Sequence, residues 1–261
     1  MNEPIPNKVL GQHWLADAAS LRAMCEAAEI TKDDTVLEIG PGLGTLTEQL
    51  VARAGRVVAI EFDEALAGSL PARVPAGNLQ VTQQDILQFD FTSLPADYKV
   101  VANIPYYLTS NLIRVLSETP NRASVAVLLV QKEVARRAAA APGDMSVLSV
   151  LAQFYWHVGL GYEVPARLFT PPPKVDSQML ILERRPEPLF ADVTAKDFFR
   201  LVKAGFGERR KKLRSSLSGG LHVSKTDAEA LLIRADIDPN LRAQALTLDD
   251  WHRLYQASTP R

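Results

Sequence analysis

The chain has a single cysteine, Cys25, among its 261 residues. One thiol can form no internal disulfide and cannot build a multi-cysteine metal site. Cys25 falls in the helical pattern Ala18–Glu29, where it reads as a small buried apolar residue. Histidine is also scarce. His13, His157, His222 and His252 are scattered without ligand spacing, so no metal site is expected. Long apolar runs are missing: the longest, Val125–Val130, is far too short to cross a bilayer. The first residues, Met1–Lys8, hold two prolines and no apolar core, which is not the pattern of a secretory signal. These absences give the expectation of a cytoplasmic chain with no membrane partner. Nothing in the sequence demands an oligomer, so a monomer is expected, and no repeat or low-complexity tract is present.

A large excess of charge is absent as well. The net charge is −1, so the total alone suggests no nucleic-acid partner. The distribution is uneven, however. Residues 186–261 carry 13 Lys and Arg against 10 Asp and Glu, whereas residues 1–185 carry 16 against 20. Such asymmetry between segments says more than the sum.

What is present is an alternation of strand and helix signals over the first 185 or so residues. Strands are expected at Thr35–Ile39, Arg56–Ile60, Leu79–Thr82, Lys99–Ala102 and Ser124–Val130, each short and rich in Val or Ile. Helices are expected between them, at Thr45–Arg53, Glu64–Leu70, Ser110–Ser117 and Lys132–Ala140, with another over Ser146–Tyr155. Late strands follow near His157–Tyr162 and Val175–Glu183, separated by Pro171-Pro172-Pro173, which is too stiff to join a central ladder. The expected class is α/β: a Rossmann-like sheet domain over 1–185, then a small all-helical domain over 186–261. The linker is Glu183-Arg184-Arg185-Pro186-Glu187-Pro188. Helices beyond it are expected at Lys196–Phe206, Glu208–Leu217, Asp227–Arg234 and Leu248–Gln256, the third capped by Asp227 or Thr226.

Chemistry-bearing residues fall at successive strand ends. Val36-Leu37-Glu38-Ile39 runs into Gly40-Pro41-Gly42-Leu43-Gly44, a strand–turn–helix whose glycines allow close backbone approach to a nucleoside cofactor. The G-x-G-x-G spacing fits a dinucleotide turn poorly, which disfavours a nicotinamide oxidoreductase. Glu61 ends the next strand, where a carboxylate can accept both ribose hydroxyls. Asp85 follows the third strand and can accept from an adenine amino group while Ile86 packs on the ring. Asn103-Ile104-Pro105-Tyr106 closes the series. There the Asn amide oxygen and the Ile104 carbonyl can grip an exocyclic amine, Pro105 stiffens the turn, and Tyr106 can stack on a base. Ligands of open α/β sheets bind along this edge. The combination points to methyl transfer onto adenine.

Farther on, Arg200–Arg214 holds seven basic residues, among them Arg209, Arg210, Lys211, Lys212 and Arg214, against one acid, Glu208. A solvated helix face is the bland reading, but the charge is too one-signed for it, and phosphate contact is expected. Lys132, Arg136 and Arg137 form a second basic cluster that reads equally as an RNA contact or as an exposed helix start with ion pairs.

In these residues the chain resembles the ribosomal RNA adenine dimethyltransferase family over nearly its full length. The resemblance runs from Lys8–Leu15 through Val36–Thr47, Asn103–Leu108 and Gln131–Arg137 to Phe169–Ser177, and ends at Phe206–Leu217. It implies an S-adenosylmethionine-dependent enzyme that dimethylates two adjacent adenosines in the 3′-terminal hairpin loop of small-subunit rRNA, with rRNA or an immature small subunit as partner. It further implies that His13 and Leu15 cover the cofactor, that Gly40, Gly42, Glu61, Asp85, Ile86 and Asn103 line its pocket, and that Phe169 is a second aromatic clamp opposite Tyr106. Two positions depart from the pattern: Trp14 stands where Phe is usual, and Ser146-Val147 replaces a Gly-Arg. Alternatives from other classes are a non-catalytic ribosome-assembly factor and a large-subunit resistance methyltransferase.

Overall fold

The computed structural model describes residues 11–258. The chain divides into two compact units. One comprises the residues up to Arg136 with Trp156–Arg184, and the other Arg137–Tyr155 with the residues from Arg185 on. The linker expected near 185 coincides with the second crossing. Residues 137–155, placed by their position in the sequence with the sheet, group with the C-terminal helices. Among the described residues no helix is long and apolar enough to cross a membrane.

The first unit is a seven-stranded sheet. Its strands are β2 (Thr35–Ile39), β3 (Arg56–Glu61), β4 (Leu79–Gln83), β5 (Lys99–Asn103), β6 (Val125–Gln131), β7 (Trp156–Val164) and β9 (Ser177–Arg184). They lie in the order β4-β3-β2-β5-β6-β9-β7, with β4 to β6 parallel and β9 antiparallel to both neighbours. The Val, Leu and Ile runs serve both faces: Val36, Leu37, Val57, Val100, Val101 and Val127 are fully buried. Edge strand β4 has no fully buried residue: Leu79, Val81 and Thr82 are partly buried, and Gln80 and Gln83 are exposed. Helices α1 (Ala18–Ala27), α2 (Thr45–Arg53), α3 (Glu64–Arg73) and α4 (Thr109–Glu118) fill the connections. Asp17 caps α1 by accepting from Ser20 N, and Asp63 caps α3 by accepting from Ala65 N and Leu66 N. From β2 the chain steps outward through β3 to β4, then returns to β5 on the other flank of β2. The switch point therefore falls between the carboxyl ends of β2 and β5, where ligands bind in such sheets.

A separate two-stranded ladder pairs β1 (Trp14–Leu15) with β8 (Phe169–Thr170). Its brevity explains why no sequence pattern announces it. It ties the N-terminal arm to the start of the proline-rich stretch, with Leu15 opposite Phe169 and both nearly inaccessible.

In the second unit, α6 (Val147–Tyr155) and α7 (Ala195–Phe206) meet through aromatics. The Phe154 and Phe198 rings stack at 5.0 Å, and Phe199 meets Phe154 edge-on at 5.4 Å. This packing is the physical reason α6 groups here. Helices α8 (Leu213–Leu221), α9 (Lys225–Arg234) and α10 (Leu248–Ser258) complete the unit, and Trp251 of α10 is fully buried. Two sequence expectations are corrected. The helix expected over Glu208–Leu217 starts only at Leu213, so Arg209, Arg210, Lys211 and Lys212 lie in the turn between α7 and α8, and Arg214 sits in the first helical turn. Consecutive cations in a first turn would face the positive end of the helix dipole and one another, which disfavours the earlier start. The cap of α9 is Ser224, which accepts from Asp227 N and donates to Asp227 Oδ2 at 2.6 Å.

Candidate active site

The glycine turn positions the first wall of the site. Gly40, Gly42 and Gly44 have φ of +67°, +57° and +90°, a backbone region that L side chains strain to enter. Gly40 N–H donates to Ile60 O at 2.9 Å, which joins the turn to the end of β3. Glu61, at that end, is buried, and its two oxygens accept from Gly42 N at 3.1 Å and Asp63 N at 2.9 Å. Burial nonetheless pushes its carboxyl above the ordinary range, with the two N–H donors opposing. Asp85 both lines the cavity and caps a short helical turn, Ile86–Gln88, through Leu87 N at 2.9 Å.

The arm supplies the second wall. Thr45 Oγ1 donates to Leu15 O at 2.7 Å, and His13 Nδ1 lies 2.7 Å from Pro171 O. The Leu15 side chain belongs to the apolar core rather than to an open surface. Trp14 packs its ring against Gly42, where an added Cβ would stand 3.3 Å from the indole, so the larger aromatic keeps a packing role. Lys8–Leu10, the start of the arm pattern, lies outside the described residues.

Asn103 sits at the end of β5. Its Nδ2 donates to His13 O at 3.2 Å, which leaves Oδ1 as the acceptor facing away from the arm. Ile104 follows at the corner and lines the same cavity. Tyr106 follows with its ring 5.9 Å from that of His13, at 25°, and its hydroxyl 2.8 Å from Ser177 Oγ. Burial raises its phenol above the ordinary value, so it stays neutral at physiological pH. These groups, with Phe169, enclose one cavity of about 320 Å³. Of the residues expected at the site, His13, Leu15, Gly40, Gly42, Glu61, Asp85, Ile86, Asn103, Ile104, Pro105, Tyr106 and Phe169 all line it.

Residues not singled out from the sequence also line it: Glu38, Phe62 and Tyr107. Phe62 and Tyr107 are unusually exposed for large apolar rings, at 57% and 65%. Glu38 is the opposite case. It is 1% exposed, and neither carboxyl oxygen, nor the adjacent Thr47 hydroxyl, has a hydrogen-bond partner of ordinary geometry. Burial raises the Glu38 carboxyl to about 8, with the neighbouring Thr47 hydroxyl opposing and Glu61 adding to the rise. Its position two residues before the first glycine was the available signal. Among the described residues no cluster of His, Cys, Asp or Glu could hold a metal ion.

The basic residues lie elsewhere. In the α7–α8 turn, Lys211 pairs with Glu208 at 2.5 Å and Lys212 bonds Asn240 Oδ1 at 2.8 Å, while Arg214 pairs with Glu229 at 3.2 Å. Arg209 and Arg210 are exposed, and no side-chain bond to either is formed among the described residues. In the other cluster, Lys132 and Arg136 both pair with Glu163 of β7.

Comparison with known proteins shows which family the chain belongs to. The family model described as ribosomal RNA adenine dimethylase matches residues 6–259. A Dehalococcoides mccartyi protein named ribosomal RNA small subunit methyltransferase A is 41% identical over 251 residues, covering 95% of this chain and 86% of its own length. The Moorella thermoacetica protein of the same name is 39% identical over 95% of this chain and 90% of its own length. Among solved structures, a dimethyladenosine transferase from Plasmodium falciparum superposes with TM-score 0.79 at 26% identity, over 93% of this chain and 96% of that one. The 23S rRNA methyltransferase ErmE superposes with TM-score 0.73 at 30% identity, over 94% and 98%. With its glycine turn, strand-end acids and Asn-Ile-Pro-Tyr corner along one sheet edge, the chain belongs to the ribosomal RNA adenine dimethylase family.

Proposed function

We propose that the protein methylates the exocyclic amino nitrogen of two adjacent adenosines in the 3′-terminal hairpin loop of small-subunit rRNA. The observation that carries the reading is the Asn103 corner: an amide whose nitrogen is held by the His13 carbonyl, the Ile104 corner and an anchored aromatic ring meet in one cavity. S-adenosylmethionine, when bound, supplies an electrophilic methyl group. The pocket suits it: backbone N–H groups and glycines stand where the ligand approaches closely, Glu61 suits the ribose hydroxyls, Asp85 and Ile86 suit the adenine, and the unpartnered Glu38 carboxyl suits a cation.

The rest of the chemistry is the protein's. The lone pair of an adenine amine is delocalised into the ring. Hydrogen bonds from its N–H groups to Asn103 Oδ1 and the Ile104 carbonyl would localise that pair and aim it, and the proton that each methyl group replaces leaves for solvent. Tyr106 and Phe169 would hold the ring between them, which converts the encounter into an oriented one. The base must be unpaired or flipped to enter. The helical segment 186–261 then acts as an RNA-binding domain, with Arg209, Arg210, Lys211, Lys212 and Arg214 on phosphates. The partner is the immature small ribosomal subunit, the place of action is the cytoplasm, and the working form is a monomer.

A second reading, methylation of large-subunit rRNA, is favoured by one likeness, that to ErmE. A tritium-transfer assay separates the two. Labelled S-adenosylmethionine is offered to undermethylated small subunits and, in parallel, to large subunits. Dimethyladenosine label in small-subunit rRNA is expected. Label confined to large subunits would overturn the reading. Asn103→Ala should abolish transfer while RNA still binds.

A further inference from the structure

Two buried carboxyl groups share one wall of the cavity, and their surroundings differ. Glu61 has an N–H donor on each oxygen. Glu38, from the neighbouring strand, has none on either. A carboxylate that accepts backbone N–H bonds tolerates its charge, whereas one out of water with no donor is held as the neutral acid. The groups around Glu38 reinforce the division. The charge acting on it is that of Glu61 on β3. The Thr47 hydroxyl of α2 opposes the rise without cancelling it, and the buried thiol of Cys25 on α1, itself raised to about 11, is neutral. Among the described residues no cation offsets either acid. Glu38 nevertheless lines the cavity, so a ligand there can meet it.

We propose that Glu38 is a neutral acid in the cofactor-free protein and gives up its proton when S-adenosylmethionine enters, becoming the buried counter-charge to that cation. The inference rests on the cofactor reading above and goes beyond it. The step balances simply: the O–H bond of the Glu38 carboxyl breaks, the proton leaves for solvent, and the anion stays beside the bound positive charge. The pocket thus avoids two adjacent buried anions while empty. It acquires the second only when a cation is there to stabilise it. Glu38 is in this sense a positioning residue, selecting a positively charged ligand.

The test is calorimetric titration of the whole protein with S-adenosylmethionine at pH 7, in two buffers of different ionisation enthalpy. The dependence of the heat on buffer counts protons. Close to one proton released per cofactor is expected, with affinity rising by up to about tenfold per pH unit between pH 6 and pH 8. Glu38→Gln should still bind, more weakly, with the release and the pH dependence gone. Should that variant fail to fold, the infrared band of a protonated carboxyl in the wild-type protein gives the same answer, and it should vanish on adding cofactor. Binding with no proton release, or a release unchanged in Glu38→Gln, would overturn the inference and leave the cofactor reading standing. Absence of any binding would overturn both.

Discussion

Tyr106 allows the base-stacking proposal to be separated into parts. Its hydroxyl is anchored on Ser177 Oγ, and its ring stands beside His13. Tyr106→Phe removes the anchor and keeps the ring. A net hydrogen bond contributes about 1 kcal/mol, so kcat/KM for RNA should fall by roughly fivefold. Tyr106→Ala removes the ring too. Base–aromatic stacking adds about 1–3 kcal/mol, so the combined fall should lie between roughly 30-fold and 1,000-fold. Ser177→Ala should match the Phe variant, and Ser177→Ala combined with Tyr106→Phe should be no worse than either, since both remove one contact. The assay is single-turnover methyl transfer at saturating cofactor, with cofactor affinity measured separately. Two results would refute the reasoning: an Ala variant within about threefold of wild type, or Phe and Ala variants impaired equally, which would assign the whole effect to the hydroxyl.

Other outcomes follow from features of each unit. Among the described residues Arg209 and Arg210 have no side-chain partners, whereas Lys211 and Lys212 do, so Arg209→Ala with Arg210→Ala should flatten the log–log salt dependence of RNA binding by roughly 1.4–1.8. Filter binding at several salt concentrations measures it, and an unchanged slope would return the turn to plain solvation. The neutral form of Glu38 contributes stability that is complete below the ordinary carboxyl value of 4.5 and is lost as pH rises through about 8. Glu38→Gln should therefore stabilise the cofactor-free protein at pH 7 by on the order of 3 kcal/mol and flatten its pH dependence across that window; urea titrations that stay parallel to wild type would contradict this. In the helical unit, a Cβ at Gly205 would run into the Trp251 ring, so Gly205→Ala should lower stability by about 1–3 kcal/mol in urea unfolding.

Much of the sheet was legible because strands covered on both faces need small and branched apolar residues, and β3 and β5 have runs of Val, Ile and Ala while β2 is interrupted only by Glu38. The site was legible for a related reason: a parallel sheet gathers its strand ends, so Gly40, Glu61, Asp85 and Asn103 converge although they are far apart in the chain. What escaped were contacts with no local signature. The amide of Asn103 is oriented by a carbonyl 90 residues away. Helix α6 reads like any apolar helix, and only its Phe154 stack on Phe198 shows which unit it joins. The basic turn looks helical by propensity, and it is the dipole of α8 that disfavours helix there. Glu38 was visible as a letter, but its burial without a backbone N–H donor was not.

The short ladder between Trp14–Leu15 and Phe169–Thr170 has a consequence for the rhythm of catalysis. Two methyl groups on one nitrogen require two cofactors in succession, and each spent molecule must leave a cavity that the arm helps to wall. That arm is fastened to the strand carrying Phe169, the proposed second clamp on the base, and through His13 to the amide of Asn103. Loosening the roof to exchange cofactor therefore slackens the grip on the nucleotide as well. A pocket built this way favours letting go of the RNA between transfers, so that singly methylated adenosine would accumulate early and be consumed late.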